Sequence, residues 1–192
     1  TIFFMYPLIV ALALGVFFKE HITFRTMIAL IVVLIGVFLL SVKDVTNFSI
    51  NYIGAGVSLL GAISYALYML IVNKSKISAS GIKVSFYSTL FSSVYFLVKL
   101  FVMGKTLPIP DLKMSFLLTG FGVITTLLSI VTLIYAIRMI GSTPTAIIGV
   151  MEPIVAVAIS ILIFQQESLT TNLIIGVLLI IIAVMIDILN PK

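Results

Sequence analysis

The fold class this chain predicts is an all-α membrane protein, on three observations. Seven apolar blocks alternate with short charged connectors, 62% of residues are hydrophobic against 9% charged, and the blocks show no two-residue alternation of polarity. Soluble domains average about 25% charged residues, so the composition argues against a water-solvated core. Lipid offers the backbone no hydrogen-bond partners, so a spanning segment is a helix or a strand of a closed barrel, and barrel strands alternate.

At roughly twenty residues per crossing, the blocks place spans at 2–18, 25–42, 51–73, 84–103, 114–137, 142–164 and 169–189. The first ends in a hydrophilic turn of Lys19, Glu20, His21 and Arg25, from which the second departs. In the third, Ser58, Gly61, Tyr65 and Tyr68 fall on one helical face. The fourth carries Ser85, Ser88, Ser92, Tyr95 and Lys99 at steps of three and four, and the fifth repeats the pattern with Thr125, Ser129 and Thr132. Such stripes have two readings: close packing, with hydroxyls bonded to their own or a neighbouring helix, or the lining of a solute pathway. Tyr65 and Tyr68 also suit interface anchors, and Lys99 is placed to snorkel toward the surface. The sixth span holds Glu152-Pro153 about ten residues in, near the midplane at a rise of about 1.5 Å per residue. The seventh ends with Asp187, expected to be solvated, before Asn190-Pro191 stops the helix.

Cysteine is absent, which removes disulfides and thiolate chemistry, and the single His21 cannot assemble a metal site. The net charge of +5 comes from Lys and Arg scattered singly through connectors, without the basic block that nucleic acid would require. Those charges set orientation instead. One side collects Lys19, Arg25, Lys74, Lys76, Lys83, Arg138 and Lys192, the other Lys43, Lys99, Lys105 and Lys113, so Lys192 is expected in the cytoplasm and Thr1 outside. The first apolar run begins at Ile2, with no basic start of a signal peptide before it, and the opening reads as cut.

A repeat strengthens that expectation. Tyr6-Pro7, an apolar run, Glu20 and HITFRTMIALIVVLIGVFLL are matched late in the chain by Glu152-Pro153, an apolar run, Glu167 and SLTTNLIIGVLLIIIAVMID. Aligning Glu20 with Glu167, an offset of 147 residues, pairs Thr23 with Thr170, Ile28 with Ile175 and Val37 with Val184. It also exchanges the small residues Ala29 with Gly176 and Gly36 with Ala183. About five spans separate the copies, and an odd number of crossings turns the second upside down.

With these residues the chain resembles the EamA family of the drug/metabolite transporter superfamily. The stretch GAGVSLLGAISYALYMLIVNKS, residues 54–75, is similar to the opening helix of the family's second repeat, with Tyr65-Ala66 and Tyr68 in place of the more usual Trp-containing pattern. AIIGVMEPIVAVAISILIFQQE, residues 146–167, is similar to that repeat's fourth helix. The resemblance implies a ten-helix fold of two five-helix inverted repeats, of which residues 1–42 supply the last two helices of the first and residues 43–190 the whole second. Three further helices, or a second subunit, are then expected as partners to close the substrate cavity between the repeats.

Glu152 is the residue whose cost most needs explaining, since a charge near the bilayer centre costs about 2.5–3.5 kcal/mol on insertion scales. Pro153 removes a backbone donor and frees a carbonyl one turn earlier, near Gly149. Two readings stand: a proton or cation site coupled to alternating access, or a structural acid beside a kink. Other classes fit less well. A retinal protein needs a lysine within the last span, a zinc intramembrane protease needs His-Glu-x-x-His, and neither occurs; no filter-like loop suggests a channel.

The expected function is a permease, not an enzyme, moving a small metabolite or drug-like solute across the cytoplasmic membrane. No cofactor, metal or nucleic acid is expected, and the partners are the solute, lipid, and a proton or cation. The candidate pathway comprises Glu152, Pro153, Tyr65, Tyr68, Ser88, Ser92, Tyr95, Thr125 and Ser129. The alternative is a structural or regulatory membrane fragment that needs partner helices and transports nothing alone.

Overall fold

The computed structural model describes residues 2–41, 51–75, 80–105, 111–164 and 170–188. Regular structure among them is helical throughout. A 3-10 turn, Ile2–Met5, leads into α1 (Tyr6–Phe17), followed by α2 (Phe24–Ser41), α3 (Tyr52–Lys74), α4 (Gly81–Val102) and α5 (Leu112–Gly122). A π segment, Val123–Leu128, joins α5 to α6 (Ser129–Ile140), and α7 (Ser142–Gly149), α8 (Glu152–Leu162) and α9 (Thr171–Ile188) complete the order.

Six stretches are long and apolar enough to cross a bilayer: α2, α3, α4, the continuous run Leu112–Ile140, the broken run Ser142–Leu162, and α9. The first predicted span, 2–18, appears within a residue of its expected bounds but is short for a crossing. The apolar helix Ile2–Phe17 covers about 26 Å, counting about 2.0 Å per 3-10 residue and 1.5 Å per α residue, against a hydrocarbon core of about 30 Å. It stops because Lys19 takes a left-handed conformation (φ 54°), folding the chain back so that the Glu20 amide reaches the Leu14 carbonyl. The described residues therefore contain six helices of spanning length and one short apolar helix.

Contacts group the chain into two compact units, residues 1–74 with 140–192, and residues 75–139. In the first unit, α2 packs along α9, while α1 lies against α3 and α7. Direction follows from two contacts. Thr26, early in α2, hydrogen-bonds Asp187, late in α9, whereas Gly36, late in α2, meets Gly176, early in α9. The helices run antiparallel, and they are the two stretches that the 147-residue offset aligns.

Close approach is what this pair demands of its sequence. A Cβ on Gly176 would stand 2.8 Å from the Gly36 carbonyl oxygen, and one on Gly36 would stand 3.0 Å from the Gly176 carbonyl oxygen. Ala29, Val33, Ile180 and Ala183 are fully buried around that contact. Lipid tails are as apolar as the side chains, so association in a membrane rests on such backbone-near packing rather than on hydrophobic burial. Asp187 differs from its expected solvation: it is buried at 7% exposure, and the Thr26 hydroxyl donates to its Oδ1 at 3.3 Å. The helix continues to Ile188, which keeps the carboxylate on the face turned to α2.

At one end of this unit Lys74 forms an ion pair with Glu20 and stands over the Phe18 ring, 5.1 Å from its centroid. The pair ties the α1–α2 turn to the end of α3, two connectors that the Lys/Arg bias assigns to the same side.

In the second unit α4 begins with Ser80 as N-cap and α5 with Asp111, each side chain accepting a backbone amide three residues on. Ser93, Thr119, Thr125 and Thr132 donate their hydroxyls to carbonyls four residues earlier at 2.8 Å. Buried positions are few: Gly81 and Ser85 on α4, and Ile134 and Ile137 on α6.

Candidate functional site

The broken helix between α7 and α8 organises the site. Pro153 has no amide hydrogen, and the α-helical ladder gives way two residues before it. The Val150 and Met151 amides turn to the carbonyls three residues back, Ile147 at 3.2 Å and Ile148 at 2.9 Å. That switch withdraws the amide that would have bonded the Ala146 carbonyl. Tyr6 of α1 takes its place, its hydroxyl donating to the Ala146 oxygen at 3.2 Å. Gly149 makes the approach possible, because a Cβ there would lie 2.5 Å from the Tyr6 hydroxyl.

The other Pro-containing start is built alike. Met5, before Tyr6-Pro7, has φ −75° and ψ −9°, and Met151, before Glu152-Pro153, has φ −70° and ψ −14°. Each pair opens an α-helix directly after a non-α turn, the position at which proline is best tolerated.

Glu152 consequently occupies a different place from the one expected. It is not an interior residue of a continuous helix but the first residue of α8, and it is exposed. A carboxylate in a first turn is favoured by the helix dipole, by about 0.3–1 kcal/mol at exposed sites. Among the described residues no basic side chain pairs with it. Its carboxylate contributes to the electrostatic surroundings of Tyr6 and Tyr65.

Those rings belong to a cluster contributed by three elements. Tyr6 and Tyr65 meet edge to face, centroids 4.9 Å apart at 86°, while Tyr65 and Tyr68 lie nearly parallel at 6.4 Å and 19°. Phe3 stands 5.6 Å from Tyr6 and 5.7 Å from Tyr65, over the gap left by Gly61. Aromatic pairs in such arrangements add about 0.5–1.5 kcal/mol each beyond their area. Tyr6 is buried and forms the floor, whereas Phe3, Tyr65 and Tyr68 are half-buried and keep free ring surface. The Tyr68 hydroxyl is buried without a hydrogen-bond partner among the described residues. An orphan of that kind costs about 1–3 kcal/mol unless water or a ligand supplies the bond.

The structure thus brings together Glu152, Pro153, Tyr65 and Tyr68. It adds Tyr6 and Phe3, which the sequence reading had not assigned to the pathway. Tyr6 was visible there as the partner of Glu152 in the repeat, but nothing in the sequence indicated that its hydroxyl would reach Ala146.

The other five candidates lie in the second unit. Ser88 is half-buried; Ser92, Tyr95, Thr125 and Ser129 are exposed. Thr125 falls within the π segment and its hydroxyl is bonded to the Phe121 carbonyl. Along the α4 stripe exposure rises from Ser85, fully buried, to Lys99. Ser85 and Thr89, one turn apart, have buried hydroxyls with no partner among the described residues; Thr89 lies outside the predicted stripe. A wide open depression of about 880 Å³ is lined by Asp111, Leu112, Lys113, Phe116 and Leu117, none of them a pathway candidate. No cluster of three or more His, Asp or Glu suited to a metal ion occurs among the described residues.

No curated protein matches the chain. The model of the EamA-like transporter family matches residues 52–188, from the start of α3 to the end of α9. Together with its membrane-spanning helices, that match identifies the chain as a multi-pass membrane protein belonging to the EamA-like transporter family.

Proposed function

We propose that the chain works as a secondary transporter, moving a small solute by alternating access across the cytoplasmic membrane, with its C-terminus in the cytoplasm. The observation that carries this reading is the interrupted α7–α8 helix, whose break places an acid beside a partly open aromatic cluster. Discontinuous membrane helices are the usual means by which transporters present polar groups to a solute within the bilayer. The antiparallel pairing of α2 with α9 supports an inverted repeat, residues 1–42 belonging to one copy and 43–190 to the other. The Glu20–Lys74 ion pair supports a common side for their connectors.

The test is solute and ion flux in proteoliposomes. Glu152→Gln is expected to abolish ion-driven uptake or efflux while leaving insertion and unfolding temperature unchanged; unchanged coupling would assign Glu152 to the kink alone. A second reading, a fragment that assembles with partner helices and does not transport alone, is favoured by α4, which buries only Gly81 and Ser85. Flux through the chain by itself would remove it.

A further inference from the structure

We propose that the corner bounded by Tyr6, Tyr65, Tyr68, Phe3 and Glu152 takes an organic cation, an amine or quaternary ammonium carrying an apolar or aromatic body. The proposal rests on the transport reading and adds the class of solute to it. Ring faces carry negative electrostatic potential, and a cation within about 6 Å of a ring centroid is attracted to it, most strongly where water is excluded. The perpendicular Tyr6–Tyr65 pair and the parallel Tyr65–Tyr68 pair share one ring, with Tyr6 buried behind the half-buried Phe3, Tyr65 and Tyr68, which supply the accessible ring surface. Glu152 adds a full negative charge within electrostatic range of Tyr6 and Tyr65, and no basic side chain among the described residues neutralises it.

The surroundings select the same sign. The basic residues described in this unit, Lys19, Arg25 and Lys74, stand at helix ends or connectors, and Lys74 is engaged with Glu20. An anion in the corner would meet a carboxylate and ring faces with no compensating charge. A neutral solute would leave Glu152 unpaired. The Tyr68 hydroxyl, which has no hydrogen-bond partner among the described residues, can accept an N–H bond from a protonated amine or donate to a polar tail.

Binding of phenyltrimethylammonium to the protein in nanodiscs, against empty nanodiscs, tests the assignment. Tert-butylbenzene, its neutral isostere, and phenylacetate serve as competitors. The cation is expected to bind roughly tenfold or more tighter than either, and Glu152→Gln to weaken it by roughly tenfold. Tyr65→Leu is expected to weaken it about fivefold and Tyr65→Phe to leave it within about twofold, since the ring face and not the hydroxyl makes the contact. Equal binding of the neutral isostere, or equal effects of Leu and Phe at Tyr65, overturns the proposal. If Glu152→Gln does not fold, the Tyr65 pair decides.

Uptake of a metabolite mixture by proteoliposomes, run in parallel, separates the two readings. Uptake of some solute without selective cation binding overturns the cation assignment and leaves transport standing. Selective, Glu152-dependent binding without any uptake upholds the assignment and removes transport.

Discussion

In the unit formed by residues 1–74 and 140–192, helices meet at their backbones, Gly36 against Gly176 and Gly149 against the Tyr6 hydroxyl. In residues 75–139, Gly120 and Gly122 have no atom within 4 Å of where a Cβ would stand, and large apolar side chains such as Phe91, Phe101, Phe116 and Phe121 are exposed. Both regions supply helices apolar enough to cross a membrane, so that criterion does not separate them. Polar chemistry does. Ser93, Thr119, Thr125 and Thr132 of the second unit bond carbonyls four residues back on their own helix, which allows them to face lipid, while the buried Ser85 and Thr89 hydroxyls have no partner among the described residues. In the first unit Tyr6 and Thr26 reach across to other helices, Ala146 and Asp187, and each such bond fixes a helix pair.

The comparison is broken most sharply at glycine. Gly176→Leu drives a side chain into the Gly36 carbonyl and into Leu40, whose Cγ lies 3.0 Å from the new Cβ. A loss of about 1–3 kcal/mol or more is expected in reversible unfolding from mixed micelles. Gly120→Leu, in a helix interior with open space around it, is expected to be neutral or to stabilise by up to about 1 kcal/mol. Equal losses at the two glycines would mean that the first unit holds together by something other than close backbone contact.

Next in size is the break. Gly149→Ala must displace the Tyr6 hydroxyl from the Ala146 carbonyl, for an expected cost of about 1–3 kcal/mol. Tyr6→Phe removes the same hydrogen bond and costs about 1 kcal/mol. The double variant should cost less than the sum, because the Tyr6 ring itself, at 3.7 Å, already accommodates the new methyl. A double-mutant cycle that comes out additive would sever the proposed link between α1 and the break.

How far the sequence could reveal this architecture varied by element. Helix positions for α2, α3, α4 and α9 follow from apolar length, and the α2–α9 likeness follows from matched small residues, because both are one-dimensional patterns. The bounds of the first apolar helix, 2–18 from the sequence and Ile2–Phe17 in the structure, agree within a residue, but hydropathy does not register the left-handed Lys19 that stops it short of a full crossing. Proline announces a kink but not whether the helix bends or stops, so the sequence alone puts Glu152 inside a helix rather than at the start of one. Asp187 differs for a related reason: nearness to a helix exit suggests solvent, while burial depends on a partner 161 positions away. The aromatic cluster was half legible, Tyr65 and Tyr68 through their one-turn spacing, and Phe3 and Tyr6 only once α1 is laid against α3.

Thr26→Val sharpens the contrast at smaller amplitude. It removes one donor to the buried Asp187 carboxyl, for an expected loss of about 1–2 kcal/mol. Asp187→Asn keeps shape and acceptor, and is expected to retain more of the α2–α9 pairing than Thr26→Val does. Cysteine crosslinking between α2 and α9 in membranes reads both changes.

The smallest expected effect is the most discriminating for the polar stripes. Thr125 and Thr132 donate to the Phe121 and Leu128 carbonyls, which are already in the backbone ladder, and both side chains are exposed. Valine has nearly the same shape, loses only this supplementary bond, and gains favourable transfer to lipid where the hydroxyl had none. Thr125→Val and Thr132→Val are therefore each expected within about 0.5 kcal/mol of the parent in the unfolding assay. Neither is expected to change flux by more than about twofold, a difference of about 0.4 kcal/mol. A tenfold fall in flux at unchanged stability would mean that the hydroxyls leave their carbonyls for the solute during transport.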